Sequence, residues 1–581
     1  MGKKLLALLL AAVMVLSLAA CNSSAPAETE ATKAEEQTDT TAADEKADDT
    51  TAAPAEETDA PEVEDETPAE GGEDAPAGSG DAVWDEAWAD VDTSEHVVIN
   101  YMTTGDAPTT GCNDEMLAQL NKILTDRVNA EINIYWISWT DYLANYNLTL
   151  ARMDGSVDLV GSATDWLDAW PNAKNGAFLE LSEEDLAKYA PKTWASVPAE
   201  HWDYCKYDGE IYFMPEDNYS QWTNHGFCYR LDWAREAGLA DGVKSWEDLT
   251  TYFKYVKENY GDDLIALWDT DGTSYPAGGY ITSHTDWTSL NGICSGALWG
   301  AYDSDEYTVK CEYLEETDNL VAFAEMMKEW DEIGVWPTDV LSNTGADNRL
   351  EFRQGKTAVE QHHTQTWTGI VSPKASTDNT MYIDDPDAEV GFFYYGMESK
   401  NVKRDLITHG VCAISAASKN PERALMVYDL LRNDADCYDL FNYGIKGRSY
   451  DVDENGMRFT PDSYVADKDS ISTNWWWGRN DDLEIPSASM NWDAINALYD
   501  EYESFAKLYP WENFVPEMDA IQSYVDNCQE VYTKYMKLIC YGQYDGEPAD
   551  MVAEFQQALR DAGAEKVTEA LQEQFDAFYG K

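Results

Sequence analysis

Five short stretches set flat aromatic rings beside hydrogen-bonding side chains in turn-like sequence. "GSATDWLDAW" offers Asp165 and Trp166, "PEDNYSQWTNHG" offers Asn218 and Trp222, and "TSHTDW" ends at Trp287. "STNWWWGRN" (472–480) carries three consecutive tryptophans ahead of Arg479, and "EQHHTQTW" holds the adjacent His362 and His363 before Trp367. Such a set suits a pyranose ring, whose apolar C–H face packs on flat aromatics while its hydroxyl rim needs Asp, Asn, Arg or His partners. The chain has 22 Trp and 35 Tyr, more than a core of its size requires. For any single ring, ordinary packing is the plain alternative; the joint placement in loops favours a binding cleft.

Other chemistries have weaker support. "DVDENGMRFTPD" fits a calcium-loop template with Asp451 first and Asp462 twelfth, but it lacks the bidentate Glu and the flanking helices. A hairpin turned at Asn455-Gly456 is the better reading. The seven histidines make no HExxH, and no nucleophile motif, phosphate loop or metal cluster occurs. Carboxylate pairs suited to glycoside hydrolysis could hide among 110 acidic residues, but nothing marks them. An enzyme is therefore not expected, nor a cofactor or metal. Nine cysteines follow Cys21, an odd number without a CxxC pair. Most should be buried thiols, with Cys205–Cys228 and Cys294–Cys311 the nearest partners if bridges form.

These residues need elements to position them. "HVVINYM" (96–102), "EINIYWI" (131–137) and "VDLVG" (157–161) read as strands separated by two helices, the first capped by Asn113 with Leu117, Leu120, Leu124 and Val128 on one face. That βαβαβ pattern predicts a mostly parallel sheet covered on both faces. Further on, Ser245 and Asp248 form a capping-box pair, Asn420-Pro421 opens another helix, and the chain from 513 onward is helical.

Composition bounds the setting. Residues 22–82 hold no aromatic and one large aliphatic, Val63, so they should not fold. From 22 to 92 there are 24 acidic and two basic residues, which extends this segment as a tether. The whole chain carries a net charge of −71, which argues against nucleic acid and against close contact with anionic lipid. At the N-terminus, Lys3 and Lys4 precede an apolar run to Leu16, a signal-peptide layout too short to span a bilayer. Leu18-Ala19-Ala20-Cys21 resembles the lipobox of bacterial lipoproteins, which implies cleavage and lipidation (palmitate) at Cys21.

"YDGEIYFMP" (207–215), "CYRLDWAREAGL" (228–239), "FRQGKTAV" (352–359), "AISAASKNPERALMVYDLL" (413–431), "NYGIKGRSY" (442–450) and "EKVTEALQEQFDAFY" occur in this order. The series resembles the extracellular solute-binding proteins of carbohydrate ABC importers, in their large lipoprotein branch. The resemblance implies an α/β, two-lobed periplasmic-binding-protein-like fold (type II), with crossing hinge segments and a helical C-terminus. The implied organisation is a signal peptide (1–20), a lipidated acidic tether (21–92), lobe 1 (93–225 and 408–465) and lobe 2 (226–407 and 466–581). Tyr229, Arg230 and Gly410 would lie at the hinge. Ligand-binding positions would be Asp165, Trp166, Asn218, Trp222, Trp287, His362, Trp367, Trp477 and Arg479. Within the triplet, alternation puts Trp475 and Trp477 on one face of an extended segment and Trp476 on the other; Trp477 is expected to face the cleft, with Trp476 packed behind. The implied function is capture of an oligosaccharide and delivery to ABC permease subunits, by a monomer held at the extracytoplasmic face of the bacterial membrane through its lipid alone. A peptide receptor or a tethered glycan adhesin are the alternatives.

Overall fold

The computed structural model describes residues 82–581 except 141, 218–223, 271, 273, 294–297, 344 and 405. Cys21, most of the acidic tether, Asn218, Trp222 and Cys294 thus lie outside the described residues. In the first lobe, strands Val97–Thr104, Ala130–Ile137 and Leu159–Ser162 run parallel, joined by helices Asn113–Val128 and Tyr142–Ala151. Val411–Ile414 adds antiparallel beside Leu159–Ser162, and Met214–Pro215 closes the sheet. The first helix buries Met116, Leu120, Leu124 and Val128, the i, i+4 series that lays one stripe on the sheet. Asn113 does not cap it; its side chain bonds the backbone of Ser472 instead. Helix Pro421–Asn433 covers the same sheet and is buried on every side from Arg423 to Arg432.

The second lobe has its own core, built on two antiparallel three-stranded sheets. One has His225–Arg230 between Val359–His363 and Val390–Tyr394; the other orders Trp287–Ser289, Trp299–Tyr302 and Lys310–Cys311. Ser245 Oγ accepts the Asp248 N–H at 3.0 Å, opening a helix that buries Leu249, Phe253 and Val256. Helices Gln522–Ile539, Pro548–Ala562 and Ala564–Tyr579 complete this lobe at the C-terminus.

Several boundaries differ from the sequence expectation. Helix Ala82–Ala87 is not tether: Trp84 is buried in the first core, and its indole N–H donates to Asp429 at 2.6 Å. Trp84 and Trp88 supply the apolar surface that the acidic run before them lacks. Residues beyond 465 also remain in the first lobe, because Ile471 and all three triplet tryptophans pack on its core. Tyr229 and Arg230 are not at a hinge; they end the central strand of the second lobe. There the Tyr229 hydroxyl accepts the Val243 N–H, and the buried Arg230 pairs with Asp232 and Asp385. The lobes are joined where Glu216 N–H donates to the Gly410 carbonyl at 2.7 Å and Asp217 N–H to the Ile407 carbonyl at 3.1 Å. Gly410 packs tightly on Glu216, and a Cβ on it would meet the Glu216 carboxylate at 2.5 Å. The stretch after Asp451 is a hairpin, with Asp451–Val452 paired to Arg458–Phe459. The eight described cysteines after Cys21 are free and buried, Cys205 and Cys228 in different lobes.

Candidate functional site

A cavity of about 690 Å³ opens between the lobes. The first lobe contributes Asn442, the segment Ile471–Trp476, Arg479 and Glu484; the second contributes Gln365, Thr368, Trp492, Asn496 and Tyr499. Polar groups here are mostly amides and hydroxyls, interleaved with indole rings.

The first-lobe wall is an extended segment clamped along its length. Asn113 pins Ser472 through both its N–H and its carbonyl. Thr473 Oγ1 donates to the Phe441 carbonyl at 2.7 Å. Asn474, in the left-handed region at φ 47°, accepts at its carbonyl from Tyr101 and Thr103 and donates its amide to the Thr104 carbonyl. These contacts tie the segment to the C-terminal end of the first parallel strand, where open α/β sheets place their ligands.

Period-two alternation then decides the triplet. Trp475 and Trp477 share the inward face, at 3% and 0% exposure, and Trp476 points to the cavity. The expected orientation is therefore reversed. Two buried indoles gain roughly twice the apolar burial of one, on the order of 2–3 kcal/mol each, so the pair takes the core. Glycines make room for both: a Cβ on Gly161 would lie 2.2 Å from Trp477 Nε1, and one on Gly478 would lie 2.3 Å from the Trp475 ring. The Trp477 N–H donates to Thr103 Oγ1 at 3.1 Å.

The second-lobe wall is made of helix faces. Trp492, Asn496 and Tyr499 stand at i, i+4 and i+7 of helix Trp492–Glu503, one stripe of its surface. The Trp492 indole N–H donates to the Ser487 carbonyl at 2.7 Å, which fixes the ring. Gln365 and Thr368 are one turn apart on helix Thr364–Ile370. Asn491, which caps the longer helix, also bonds Ser372 and the Val371 carbonyl, which ties the two helices together.

Of the residues singled out in the sequence, Arg479 lines this cavity, held by Asp481 at 2.8 Å. Trp166 stacks on Trp477 at 5.8 Å and in turn on Trp139, which is 45% exposed, so a ladder of rings runs from the core to the surface. Asp165 accepts from His409 at 2.8 Å, a contact between the first lobe and the joining segment. Trp287 and Trp367 are second-lobe core residues. Trp287 donates to Glu316 at 2.7 Å, and Trp367 stacks on Phe392 at 5.9 Å. His362 lines a different cavity, where its Nε2 meets Arg349 at 2.6 Å and its Nδ1 meets Thr366 Oγ1 at 3.0 Å. Burial, with His363 and Arg349 nearby, pushes its pKa down to about 2, so it is a neutral imidazole. Sequence reasoning missed Asn442, Asn474, Glu484, Trp492, Asn496 and Tyr499. The spacing of 492, 496 and 499 was the available signal.

Two lobes with separate cores, joined by paired crossing segments around a cavity lined from both sides, define a solute receptor of the type II periplasmic-binding-protein-like fold. Residues 115–426, more than half of the chain, match the family described as bacterial extracellular solute-binding protein, and 510–580 match a domain of unknown function. The chain belongs to the bacterial extracellular solute-binding proteins, a family of the extracytoplasmic side. A carbohydrate ABC transporter substrate-binding protein of Streptococcus pneumoniae is 24% identical over 501 residues, 84% of this chain and 92% of that protein. The N-glycan transport solute binding protein of the same organism, solved with Man1GlcNAc, superposes with a TM-score of 0.61 at 19% identity, covering 84% of this chain and 100% of the other. A human-milk-oligosaccharide (HMO)-binding solute binding protein of Bifidobacterium longum infantis gives 0.56 at 16% identity, over 83% and 99%. Among the described residues, no helix is long and apolar enough to cross a membrane.

Proposed function

We propose that the chain is the substrate-binding component of a carbohydrate ABC importer, capturing a neutral oligosaccharide between its lobes and presenting it to membrane permease subunits. The observation that carries this reading is the interlobe cavity, where Trp476 and Trp492 offer ring faces while Asn442, Asn474, Asn496, Gln365 and Thr368 supply neutral donors and acceptors. A sugar needs both kinds of group, and a peptide would need an open strand edge instead. Ligand touching both walls favours the closed arrangement, so binding shifts the population toward closure. The carbohydrate names carried by its relatives support the same class. In this reading Cys21 carries the lipid, the acidic segment holds a monomeric receptor off the surface, and no reaction is catalysed.

The test is a tryptophan-fluorescence and thermal-shift screen of the protein against neutral oligosaccharides, monosaccharides and peptides. Oligosaccharides should shift emission and raise the melting temperature. A response to peptides alone would overturn the assignment.

A further inference from the structure

Among the described tryptophans, Trp139 is the one left largely in water, at 45% exposure. It does not stand alone on the surface. Trp139, Tyr142 and Trp166 touch one another pairwise, with ring centroids 5.6, 6.1 and 6.5 Å apart, so three rings make one patch. A lone exposed ring is ordinary, whereas a contiguous aromatic patch marks a surface that something covers.

The strand order places that patch. Trp139 follows the C-terminal end of Ala130–Ile137 and Trp166 that of Leu159–Ser162, the two strands flanking Val97–Thr104. Asn474 of the interlobe wall bonds the carbonyl of Thr104, at the same end of the middle strand. Patch and wall therefore share one edge of the sheet. Trp166 and Trp476 also rest on the same ring, Trp477, at 5.8 and 4.9 Å, so the patch adjoins the ring that faces the cavity. The border of the patch is acidic. Ser138 Oγ, beside Trp139, donates to Asp106 at 2.6 Å. Asp168 lies close enough to Tyr142 to add to burial in raising its hydroxyl pKa, and Asp165 precedes Trp166. Carboxylates accept bonds from hydroxyls and repel anions, so flat rings with this border suit the C–H face and hydroxyl rim of a neutral sugar. The same charges disfavour an anionic lipid surface.

We propose that Trp139, with Tyr142 and Trp166 beside it, is an outer subsite for the same ligand, stacking a neutral sugar unit beyond the one held at Trp476. This rests on the carbohydrate reading above and adds that the ligand continues out of the cavity along the first lobe. The test uses the full chain and titration calorimetry with Man1GlcNAc, Man5GlcNAc and malto-, manno- and cello-oligosaccharides from disaccharide to hexasaccharide. Trp139→Ala removes the exposed ring and should keep the wild-type melting temperature, because little of the core rests on it. It should weaken the longest glycan bound by about tenfold and the shortest by less than twofold. Trp139→Phe keeps a flat face and should recover most of that loss. Unchanged affinity of Trp139→Ala for the longest glycan overturns the subsite. Equal loss at every length does so too, since it marks a ring that serves lobe closure and not a sugar unit; either result leaves the carbohydrate reading standing. If wild-type protein binds none of these glycans at millimolar concentration, the carbohydrate reading and the subsite fall together.

Discussion

The two lobes build their sides of the cleft by different means. The first uses an irregular segment, 471–477, that has no secondary structure of its own and is held by side chains from Asn113, Tyr101, Thr103 and Asn474. The second uses the exposed stripes of two regular helices tied together at Asn491. Binding and support are therefore entangled in the first lobe, where Trp477 is core and Trp476 next to it is wall. In the second, helical spacing sends Ile495, Leu498 and Tyr502 inward while Trp492, Asn496 and Tyr499 line the cavity, Trp492 and Tyr499 resting on the edge of the core.

Substitutions can break that contrast. The largest effect should come from Trp477→Ala, which empties a fully buried site under Gly161 and should cost about 3–5 kcal/mol of stability in denaturant unfolding. Trp476→Ala, one residue earlier, should leave the melting temperature nearly unchanged and weaken oligosaccharide binding by about 1.5–3 kcal/mol in calorimetry. Should Trp476→Ala unfold the protein instead, the segment is core throughout and the distinction fails. On the helical side, Asn496→Ala should lose about 0.5–1.5 kcal/mol of affinity with no change in stability, the size of one hydrogen bond.

The pH dependence of stability separates the lobes further. Burial raises the Glu312 carboxyl of the second lobe from 4.5 to about 8, against a bond donated by Ser289. A folded-state pKa above the unfolded value means that the native form holds the proton more tightly. Its contribution is therefore complete below about pH 4.5 and is lost as pH rises to about 8, at no more than about 1.4 kcal/mol per pH unit. Melting temperature measured across this window should fall more steeply for the wild type than for Glu312→Gln. Parallel slopes would mean that Glu312 does not titrate as its burial dictates.

The parallel strands and the helix capped by Ser245 were legible in the sequence because they rest on local periodicity and capping chemistry, whereas the two-lobed class was carried by the resemblance of the ordered motifs. The site was legible only in part. Alternation correctly paired Trp475 with Trp477, but it carries no information on which face meets the core; that depends on Gly161 and Thr103, which lie more than 300 residues away. Trp287 and Trp367 occur in polar, turn-like sequence and yet are core, since sheets distant in sequence close over them. Asn113 looked like a cap because its type and position fit one, and a tertiary partner, Ser472, outcompeted the local bond.

In the proposed complex, an oligosaccharide lies between Trp476 and the helix Trp492–Glu503. A crystal structure of the complex with the tightest-binding glycan tests it most directly. A sugar ring is expected against the Trp476 indole, with hydroxyls bonded to Asn496 and to groups of the 471–477 segment. Glycan bound elsewhere, with that cavity holding only water, would contradict it.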